Sequence, residues 1–296
     1  MALRDFLLLM MVCLIWATNN IVSKYAVSVL SAPPLFYAAI RFMIVFLAVF
    51  PWLLPAPKPL GRIIIIALLM GGGSFALVFV GLKTATPSAG AVVGQIGVPI
   101  TTLLSFLLLG ERMSLRRAIG VGMTLAGALV VIWDPHGVKF STGLLFIAAA
   151  ALAGSVGAVL MKRVETLRPL QLQAWVGLSS IPPLLAASAV FEQDQLETTL
   201  AGGWPMAAAV LYSALVVSVL AHTVYYVLIR RYEANLIAPL TLMAPLATIA
   251  LGVVILQDPF GPRMALGASL ALVGVLVIVA RPNLLAAKLQ SMRRGD

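Results

Sequence analysis

The chain has 296 residues, of which 61% are hydrophobic and only 10% are charged. Soluble domains carry about 25% charged residues, so this chain cannot cover a surface that faces water and is not an ordinary soluble protein. The formal net charge of +10 does not indicate nucleic-acid binding. The basic residues lie in short segments between apolar runs, which is the pattern of membrane topology. The single cysteine, Cys13, excludes a disulfide within the chain.

Apolar runs of about 20 residues recur along the whole sequence, and a run of that length crosses a bilayer core of roughly 30 Å as an α-helix. Prolines and glycines in short connections indicate where the runs begin and end. The predicted transmembrane helices are Phe6–Tyr25, Pro34–Trp52, Ile63–Leu82, Ser88–Leu109, Leu115–Trp133, Thr142–Lys162, Pro169–Val190, Pro205–Leu228, Asn235–Gln257 and Pro262–Ala280. The sequence therefore predicts an all-α membrane protein with ten transmembrane helices. We expect the first helix to be retained, because no small-residue cleavage site follows it.

Helices four and five return near the C-terminus as a second copy. The matched positions are Pro99 and Pro245, the turns Gly110–Arg112 and Gln257–Asp258, Gly120 and Gly267, and Gly127 and Gly274. Since five helices separate the copies, the second half enters the membrane from the opposite side. The sequence predicts an inverted-topology repeat, as in many secondary transporters. Residues 1–136 form the first five-helix repeat, and residues 137–296 form the second repeat with a short basic C-terminal tail.

The Lys and Arg residues between the helices are distributed unequally over the two sides of the membrane. Fifteen lie on the side of the N-terminus and three on the opposite side. Cytoplasmic loops are enriched in Lys and Arg. We therefore expect both chain termini to be cytoplasmic and the acidic loop at residues 191–204 to face outward.

Four features, taken together, resemble one known family. They are a tryptophan-bearing first helix at Cys13–Asn20, Arg41 in the second helix, Pro99 followed by Gly110-Glu111-Arg112, and a glycine-rich fifth helix. This combination resembles the EamA-type members of the drug/metabolite transporter superfamily over nearly the whole chain. The second copy departs from the pattern at Gln257-Asp258-Pro259, where a Gly-Glu pair is common. The resemblance implies a ten-helix transporter. Within the family the chain looks like the amino-acid and metabolite exporters, including the aromatic amino-acid exporter group.

Polar and aromatic side chains at mid-helix depth are the candidates for substrate contact, because polar groups are costly in lipid and tend to face a cavity or a partner helix. The candidate substrate-binding residues are Trp16, Asn20, Phe79, Gln95, Trp175, His222, Tyr225 and Thr241. Gln95 stands out because Pro99, four residues later, removes the helical donor to its carbonyl. Thr241 has the matching place before Pro245. Pro99, Pro239 and Pro245 are predicted bending points.

Each candidate also has a plainer interpretation, which the sequence leaves open. Asn19 and Asn20 point about 100° apart on a helix, so both cannot face one cavity, and either can bond to a neighbouring helix instead. Aromatic side chains in membrane helices are mostly packing residues or interface anchors. A lone histidine among apolar residues, such as His222, is often a hydrogen-bonded packing residue.

The chain shows no pattern typical of an enzyme. All its carboxylates fall in loops or at helix ends, and it has neither a phosphate-binding loop nor a catalytic or metal-binding motif. We therefore expect no catalytic residue, no metal and no cofactor. The expected partners are a small-molecule substrate and the lipid bilayer, without nucleic acid, and a monomer is compatible with the sequence.

The leading functional hypothesis is a secondary transporter in a bacterial-type inner membrane. It would export small organic metabolites, above all amino acids with aromatic or bulky apolar side chains, by alternating access and through facilitated diffusion or exchange. The alternative is a proton-coupled exporter of drugs or lipophilic compounds. Against the alternative stands the lack of a carboxylate within the membrane to neutralise a cation.

Overall fold

The computed structural model describes residues 1–110, 113–134, 139–161, 164, 167–232 and 234–279. Within them, ten apolar helical spans are long enough to cross a membrane, which confirms the predicted number. Large apolar side chains cover the outer faces of these spans; Leu107 and Val254 are 70% and 71% exposed. Apolar outer faces on helices that satisfy their own backbone hydrogen bonds suit lipid and not water. The chain is an integral, multi-pass membrane protein.

The first half contains spans 1 to 5. Span 1 is α1 (Leu3–Ser28), and span 2 is α2 (Pro34–Val49) with a 3₁₀ turn at Phe50–Trp52. Span 3 consists of α3 (Leu60–Leu68), a π-helical segment (Leu69–Gly73) and α4 (Ser74–Leu82). Span 4 consists of α5 (Pro87–Gly94) and α6 (Gly97–Leu109), and span 5 is α7 (Leu115–Ile132).

The second half contains spans 6 to 10. Span 6 is α8 (Thr142–Met161), and span 7 is α9 (Pro169–Phe191), which the short α10 (Gln195–Ala201) follows. Span 8 consists of α11 (Gly203–Leu211), a π-helical segment (Tyr212–Ala221) and α12 (His222–Arg231). Span 9 consists of α13 (Ala234–Leu240) and α14 (Met243–Leu256), and span 10 is α15 (Pro262–Val279). Between the halves, β1 (Trp133–Asp134) pairs antiparallel with β2 (Lys139–Phe140).

Four predicted helices are therefore not continuous α-helices. Spans 3 and 8 contain π-helical segments, and spans 4 and 9 are interrupted after Gly94 and Leu240. These two pairs hold equivalent places in the two halves. Trp133, predicted to end a helix, lies in β1 instead. The predicted end residues Lys162 and Ala280, and the turn residues Glu111 and Arg112, lie outside the described residues.

Local chemistry fixes where several helices begin and end. Thr86 and Ser114 cap α5 and α7, because their side chains accept hydrogen bonds from the backbone N–H three residues later. Gly110 ends α6 in the left-handed conformation, with φ 67°, which glycine adopts without strain. Gln257 ends α14 in the same way, with φ 55°. The second turn thus keeps the backbone of the first although it has no glycine there.

Spans 5 and 10 meet through the four repeated glycines. A Cβ on Gly120 would lie 2.7 Å from the Gly274 carbonyl oxygen, and a Cβ on Gly127 would lie 2.5 Å from the Gly267 carbonyl oxygen. The first glycine of each copy therefore contacts the second glycine of the other. Contacts exchanged in this way are the signature of a two-fold axis, and the antiparallel pairing is what an inverted repeat requires.

The other spans follow the same symmetry. Span 2 packs against span 7, which is its counterpart in the second repeat. Span 1 packs against span 9, and the equivalent pair, span 6 and span 4, also packs together. The interrupted spans 4 and 9 lie next to one another near the axis. This arrangement brings the two helix breaks together inside the bundle.

Candidate functional site

The two interrupted helices break at matching residues and with matching hydrogen bonds. In span 4 the Val98 amide donates to the Gln95 carbonyl at 3.1 Å. In span 9 the Ala244 amide donates to the Thr241 carbonyl at 3.0 Å. Each bond joins residues three positions apart, whereas the bonds of an α-helix join residues four positions apart. The chain therefore tightens locally, and the axis of the helix is interrupted.

The prolines cause these breaks without lying in them. Pro99 and Pro245 are each the third residue of the second half-helix, α6 or α14. Because a proline has no N–H, the carbonyl four residues before it loses its usual donor. The tighter turn supplies another donor, so the Gln95 carbonyl is satisfied and not free. Pro239, the third predicted bending point, lies within α13, one residue before that helix ends.

A cavity of about 680 Å³ opens beside both breaks, and we call it the main cavity. Its lining includes five of the predicted residues, namely Trp16, Gln95, Tyr225, Thr241 and Pro245. It extends towards the side where α1 begins, as far as Arg117 near the start of span 5 and Val279 at the end of span 10. We call the side of the bundle where α1 begins the N-terminal side, and the opposite side of the bundle the far side.

The aromatic wall of the main cavity comes from spans 1 and 8. The Trp16 ring lies 5.0 Å from the Tyr225 ring, edge on, and 5.4 Å from the His222 ring. The indole Nε1 of Trp16 is buried and has no hydrogen-bond acceptor among the described residues. A buried donor without an acceptor is costly. Trp16 thus brings an unpaired donor to the wall of the main cavity.

A second cavity of about 250 Å³ lies on the far side of the breaks. Gly94, Gln95, Ala244 and Pro245 line both cavities, so the helix breaks form the wall between them. Asn20 lines the second cavity, and its Nδ2 donates to Thr248 Oγ1 at 3.2 Å, which links span 1 to span 9. Asn20 thus combines the two roles that the sequence left open. Its neighbour Asn19 is buried and accepts from Ser213 Oγ at 2.8 Å.

The far end of the second cavity is closed by polar contacts between spans. Lys24 Nζ donates to the Leu82 carbonyl at 2.8 Å, which ties span 1 to span 3. The Ser88 amide, in the first turn of α5, donates to Asp258 Oδ2 at 2.9 Å, which ties span 4 to the turn before span 10. A carboxylate at a helix N-terminus is a favourable partner for its free N–H groups. The protein is thus open on the N-terminal side and closed on the far side.

Three of the predicted substrate-binding residues line neither the main cavity nor the second cavity. Phe79 is only 1% exposed and packs against Tyr37, with ring centroids 5.1 Å apart. Trp175 donates its Nε1–H to the Leu53 carbonyl at 3.2 Å, at the N-terminal end of span 7. His222, the first residue of α12, has its Nδ1 2.7 Å from the carbonyl of Val217, which belongs to the π-helical segment of span 8. The sequence shows helix depth but not which way a side chain points.

The sequence analysis missed several residues of the main cavity. Hydroxyl groups from spans 4 and 6 contribute to its lining, and the residues are Thr101, Thr102, Ser105 and Ser155. Their signal was weak, because Ser and Thr are common inside membrane helices, where they bond to their own backbone. Ser155, for example, donates to the Ala151 carbonyl at 2.7 Å and to the Gly97 carbonyl at 2.8 Å. Arg117, which also lines the main cavity, is one of the fifteen basic residues counted on the side of the N-terminus, and the sequence indicated no other role for it.

Arg41 is a buried cation in span 2. It is 0% exposed, and its Nε and Nη2 donate to Ser218 Oγ at 3.2 and 2.9 Å. The guanidinium lies 4.2 Å from the centroid of the Phe75 ring. Burying an ion costs several kcal/mol, whereas a cation–π contact returns about 2 kcal/mol when desolvated. Ser218 also donates to the Ser213 carbonyl at 3.2 Å, so Arg41 supports the π-helical segment of span 8.

The described residues offer no place for a metal. Among them, no group of three or more His, Cys, Asp or Glu side chains could hold an ion. What the site provides is a membrane-deep chamber with aromatic, amide and hydroxyl groups and one access side. Such a chamber is suited to binding a small organic molecule.

Comparison with known proteins is consistent with this picture. The sequence model of the EamA-like transporter family matches the chain twice, over residues 4–133 and 141–280. The chain belongs to the EamA-like transporter family. The resemblance seen in the sequence is thereby confirmed, and so is the two-repeat, ten-helix fold. Membership of this family indicates a transporter rather than an enzyme.

Individual relatives of this EamA-like protein match along almost the whole chain. Proteins named "Probable amino-acid metabolite efflux pump" from Escherichia coli (strain K12) and Salmonella typhimurium (strain LT2) are 27% and 28% identical, each over 94% of this chain and 96% of the relative. "Uncharacterized transporter YvbV" of Bacillus subtilis (strain 168) is 25% identical over 93% of this chain and 91% of its own. A solved structure described as "Crystal structure of protein" has a TM-score of 0.62 and 23% identity, over 98% of this chain and 99% of that chain, and it supports the fold alone.

Proposed function

We propose that this EamA-like protein is a secondary transporter that exports amino acids, or closely related metabolites, with aromatic or bulky apolar side chains. The proposal rests on the observation that both helix breaks line one cavity of about 680 Å³. In transporters built from inverted repeats, substrates bind near the membrane midplane, where such breaks lie. The two relatives named as probable amino-acid metabolite efflux pumps favour amino acids as the class.

The chemistry of the main cavity fits a substrate with one apolar and one polar end. The Trp16 and Tyr225 rings offer an aromatic surface, 5.0 Å apart, on which an apolar side chain can pack. The Trp16 Nε1–H, which has no acceptor within the described part of the chain, and the Gln95 amide offer hydrogen bonds to the head group. We propose Trp16, Gln95, Tyr225 and Thr241 as the substrate contacts and Asn20 as a contact reached from the second cavity.

The proposed cycle is alternating access between the two repeats. The open side is the N-terminal side, which the distribution of Lys and Arg assigns to the cytoplasm. A substrate made in the cytoplasm then enters the main cavity and passes the wall formed by the two breaks. Release requires the contacts of Lys24 with Leu82 and of Asp258 with Ser88 to open on the far side. Pro99, Pro239 and Pro245 are the proposed bending points.

Cysteine labelling tests the orientation. In a Cys13→Ala background, single cysteines at the exposed positions Ser114 and Gln193 should react from opposite sides of intact inner-membrane vesicles or cells. An impermeant thiol reagent added outside cells should label only the cysteine at position 193. Labelling of both cysteines by that reagent contradicts the orientation.

Flux in proteoliposomes tests the substrate class. Vesicles loaded with unlabelled phenylalanine should take up labelled phenylalanine in exchange, with saturation and with competition by tyrosine and leucine. The reference is vesicles of the same lipid without protein. If none of the common amino acids exchanges above that reference, the proposed substrate class is wrong.

The proposed energetics is facilitated diffusion or exchange. None of the described residues that line the main cavity is a carboxylate. His222, the histidine within a span, ordinarily titrates near neutral pH but lies at a separate cavity. With equal substrate on both sides, an imposed pH gradient should therefore produce no net accumulation. Accumulation that is lost in His222→Gln supports the proton-coupled alternative instead.

A further inference from the structure

Arg41 has no anionic partner among the described residues, and the sequence offers none at its depth. Within the described ranges its Nη1 is buried without an acceptor, and its Nε and Nη2 reach only the neutral Ser218 hydroxyl. The carboxylates of the chain all lie in loops or at helix ends. Contact with the Phe75 ring compensates only part of the cost of burying the charge. A counter-ion for this charge therefore has to come from outside the chain.

A cavity of about 100 Å³, which we call the small cavity, lies directly beside this charge. Ser218, which accepts from the guanidinium, and Phe75, whose ring lies nearest to it, both line the small cavity. A water-sized species needs roughly 10–15 Å³ of such volume, so the small cavity has room for an ion of that order. It has about a seventh of the volume of the main cavity, too little for the substrates proposed above.

Two further polar side chains of the small cavity have unused donors. Gln173 is 7% exposed and Tyr226 is half-buried, and both line the cavity. Within the described part of the chain, neither the Gln173 amide nor the Tyr226 hydroxyl has a hydrogen-bond partner. Buried donors are normally paired. An anion that accepts from both of them satisfies these two donors and lies next to the buried cation.

We propose that the small cavity is a binding site for a small monovalent inorganic anion of the chloride class, which serves as the counter-ion of Arg41. The Gln173 Nε2–H and the Tyr226 hydroxyl donate to the ion, and the field of the guanidinium attracts it through a medium of low dielectric constant. The site does not depend on the identity of the transported substrate. Its role is to stabilise the packing of span 2 against spans 7 and 8, where Arg41, Gln173 and Tyr226 lie.

Thermal unfolding of the full chain in nanodiscs of neutral lipid tests this site. Chloride replaces gluconate at constant ionic strength, and the unfolding midpoint is followed. A ligand of the folded state raises the midpoint with its concentration above its dissociation constant. We expect a saturable rise with chloride, which bromide reproduces and gluconate does not.

Three variants locate the effect. Gln173→Leu and Tyr226→Phe each remove one donor with little change of volume, and each should weaken the apparent chloride affinity by about fivefold or more. Gln171→Leu is the matched control, because Gln171 is on the same span but bonds to the Pro55 carbonyl outside the small cavity. It should leave the chloride response unchanged.

Either of two results overturns the proposal. If chloride does not shift the midpoint of the native protein relative to gluconate, the small cavity holds no such anion. If the shift is the same in Gln173→Leu and Tyr226→Phe as in the native protein, the anion binds elsewhere. Neither variant touches Arg41, so the test does not depend on whether a chain without that arginine folds.

Discussion

The helix breaks of the first and second repeats have the same backbone but different side chains. The Val98 amide bonds to the Gln95 carbonyl in one, and the Ala244 amide bonds to the Thr241 carbonyl in the other, at 3.1 and 3.0 Å. The Gln95 amide makes only a long 3.5 Å contact with the Ala91 carbonyl, whereas the Thr241 hydroxyl is engaged by the Ala238 carbonyl at 2.8 Å. Gln95 also lines both cavities, and Thr241 lines only the main cavity.

The difference indicates which features of the duplicated transporter serve its symmetry and which serve substrate binding. The two copies share what forms the axis, namely the glycine contacts of spans 5 and 10 and the position of the breaks. They differ in the groups they present to the cavity, because a substrate lacks the symmetry of the protein. We therefore expect substitutions at shared positions to act alike in both repeats, and substitutions at the breaks to act unequally.

The largest expected effect concerns the shared glycine contact. Gly127 and Gly274 are equivalent, and at each a Cβ would lie about 2.5 Å from atoms of the facing span. Gly127→Ala and Gly274→Ala should each lower the free energy of unfolding by about 1–3 kcal/mol. Thermal unfolding in detergent measures this effect.

Gly122→Ala is the control for these variants. Gly122 lies on the same helix as Gly127, but a Cβ there meets nothing within 4 Å. Since alanine is the better helix former by up to about 1 kcal/mol, this variant should be neutral or slightly more stable. A strong loss of stability in only one of Gly127→Ala and Gly274→Ala contradicts the symmetric packing.

The next effect separates the two breaks. Gln95→Ala should lower transport by about 5- to 30-fold, because a lost hydrogen bond to substrate is worth about 1–2 kcal/mol. Thr241→Val keeps the shape of the side chain and removes a hydroxyl already bonded to its own helix. It should change transport by less than about 3-fold. Initial rates at equal protein per vesicle measure both, and equal losses would mean that the two breaks contribute alike.

The smallest effect concerns Asn20 and its bond to Thr248. Thr248→Val removes that interhelical bond, which is worth about 0.6 kcal/mol on average in membrane proteins. Asn20→Ala removes the bond and also the polar group at the second cavity. If Asn20 contacts substrate, its variant should lower transport further than Thr248→Val at similar thermal stability. Equal transport in the two variants assigns Asn20 to packing alone.

Most of the fold could be predicted from the sequence, because its signals are local. Span length follows from hydropathy, and helix starts follow from prolines such as Pro34, Pro169 and Pro262 at the first helical position. The repeat follows from the spacing of Gly120 and Gly127. The π-helical segments did not follow, because they depend on partners in other spans. Ser180, for example, accepts from the Gly72 amide at 2.9 Å in the segment of span 3.

The site was only partly predictable for a related reason. Gln95, Thr241 and Pro245 come together because they lie at the breaks, which prolines mark. Trp16 and Tyr225 join them from spans 1 and 8, which line the same cavity. Phe79 and Trp175 have the same residue type and depth as a cavity aromatic would have, but their helix faces turn towards other spans. The direction of a face depends on how the spans pack around the axis, and a single sequence does not contain that information.

The central claim is that the substrate occupies the main cavity at the two helix breaks. Its most direct test is protection of a cysteine at position 241 in a Cys13→Ala background, with Ser114→Cys as the control on the same side but outside the cavity. A small thiol reagent should modify both cysteines. Phenylalanine should slow modification at position 241 only, with half-protection near the concentration that half-saturates transport. Equal rates of modification at position 241 with and without saturating substrate, in a protein that transports it, would contradict the claim.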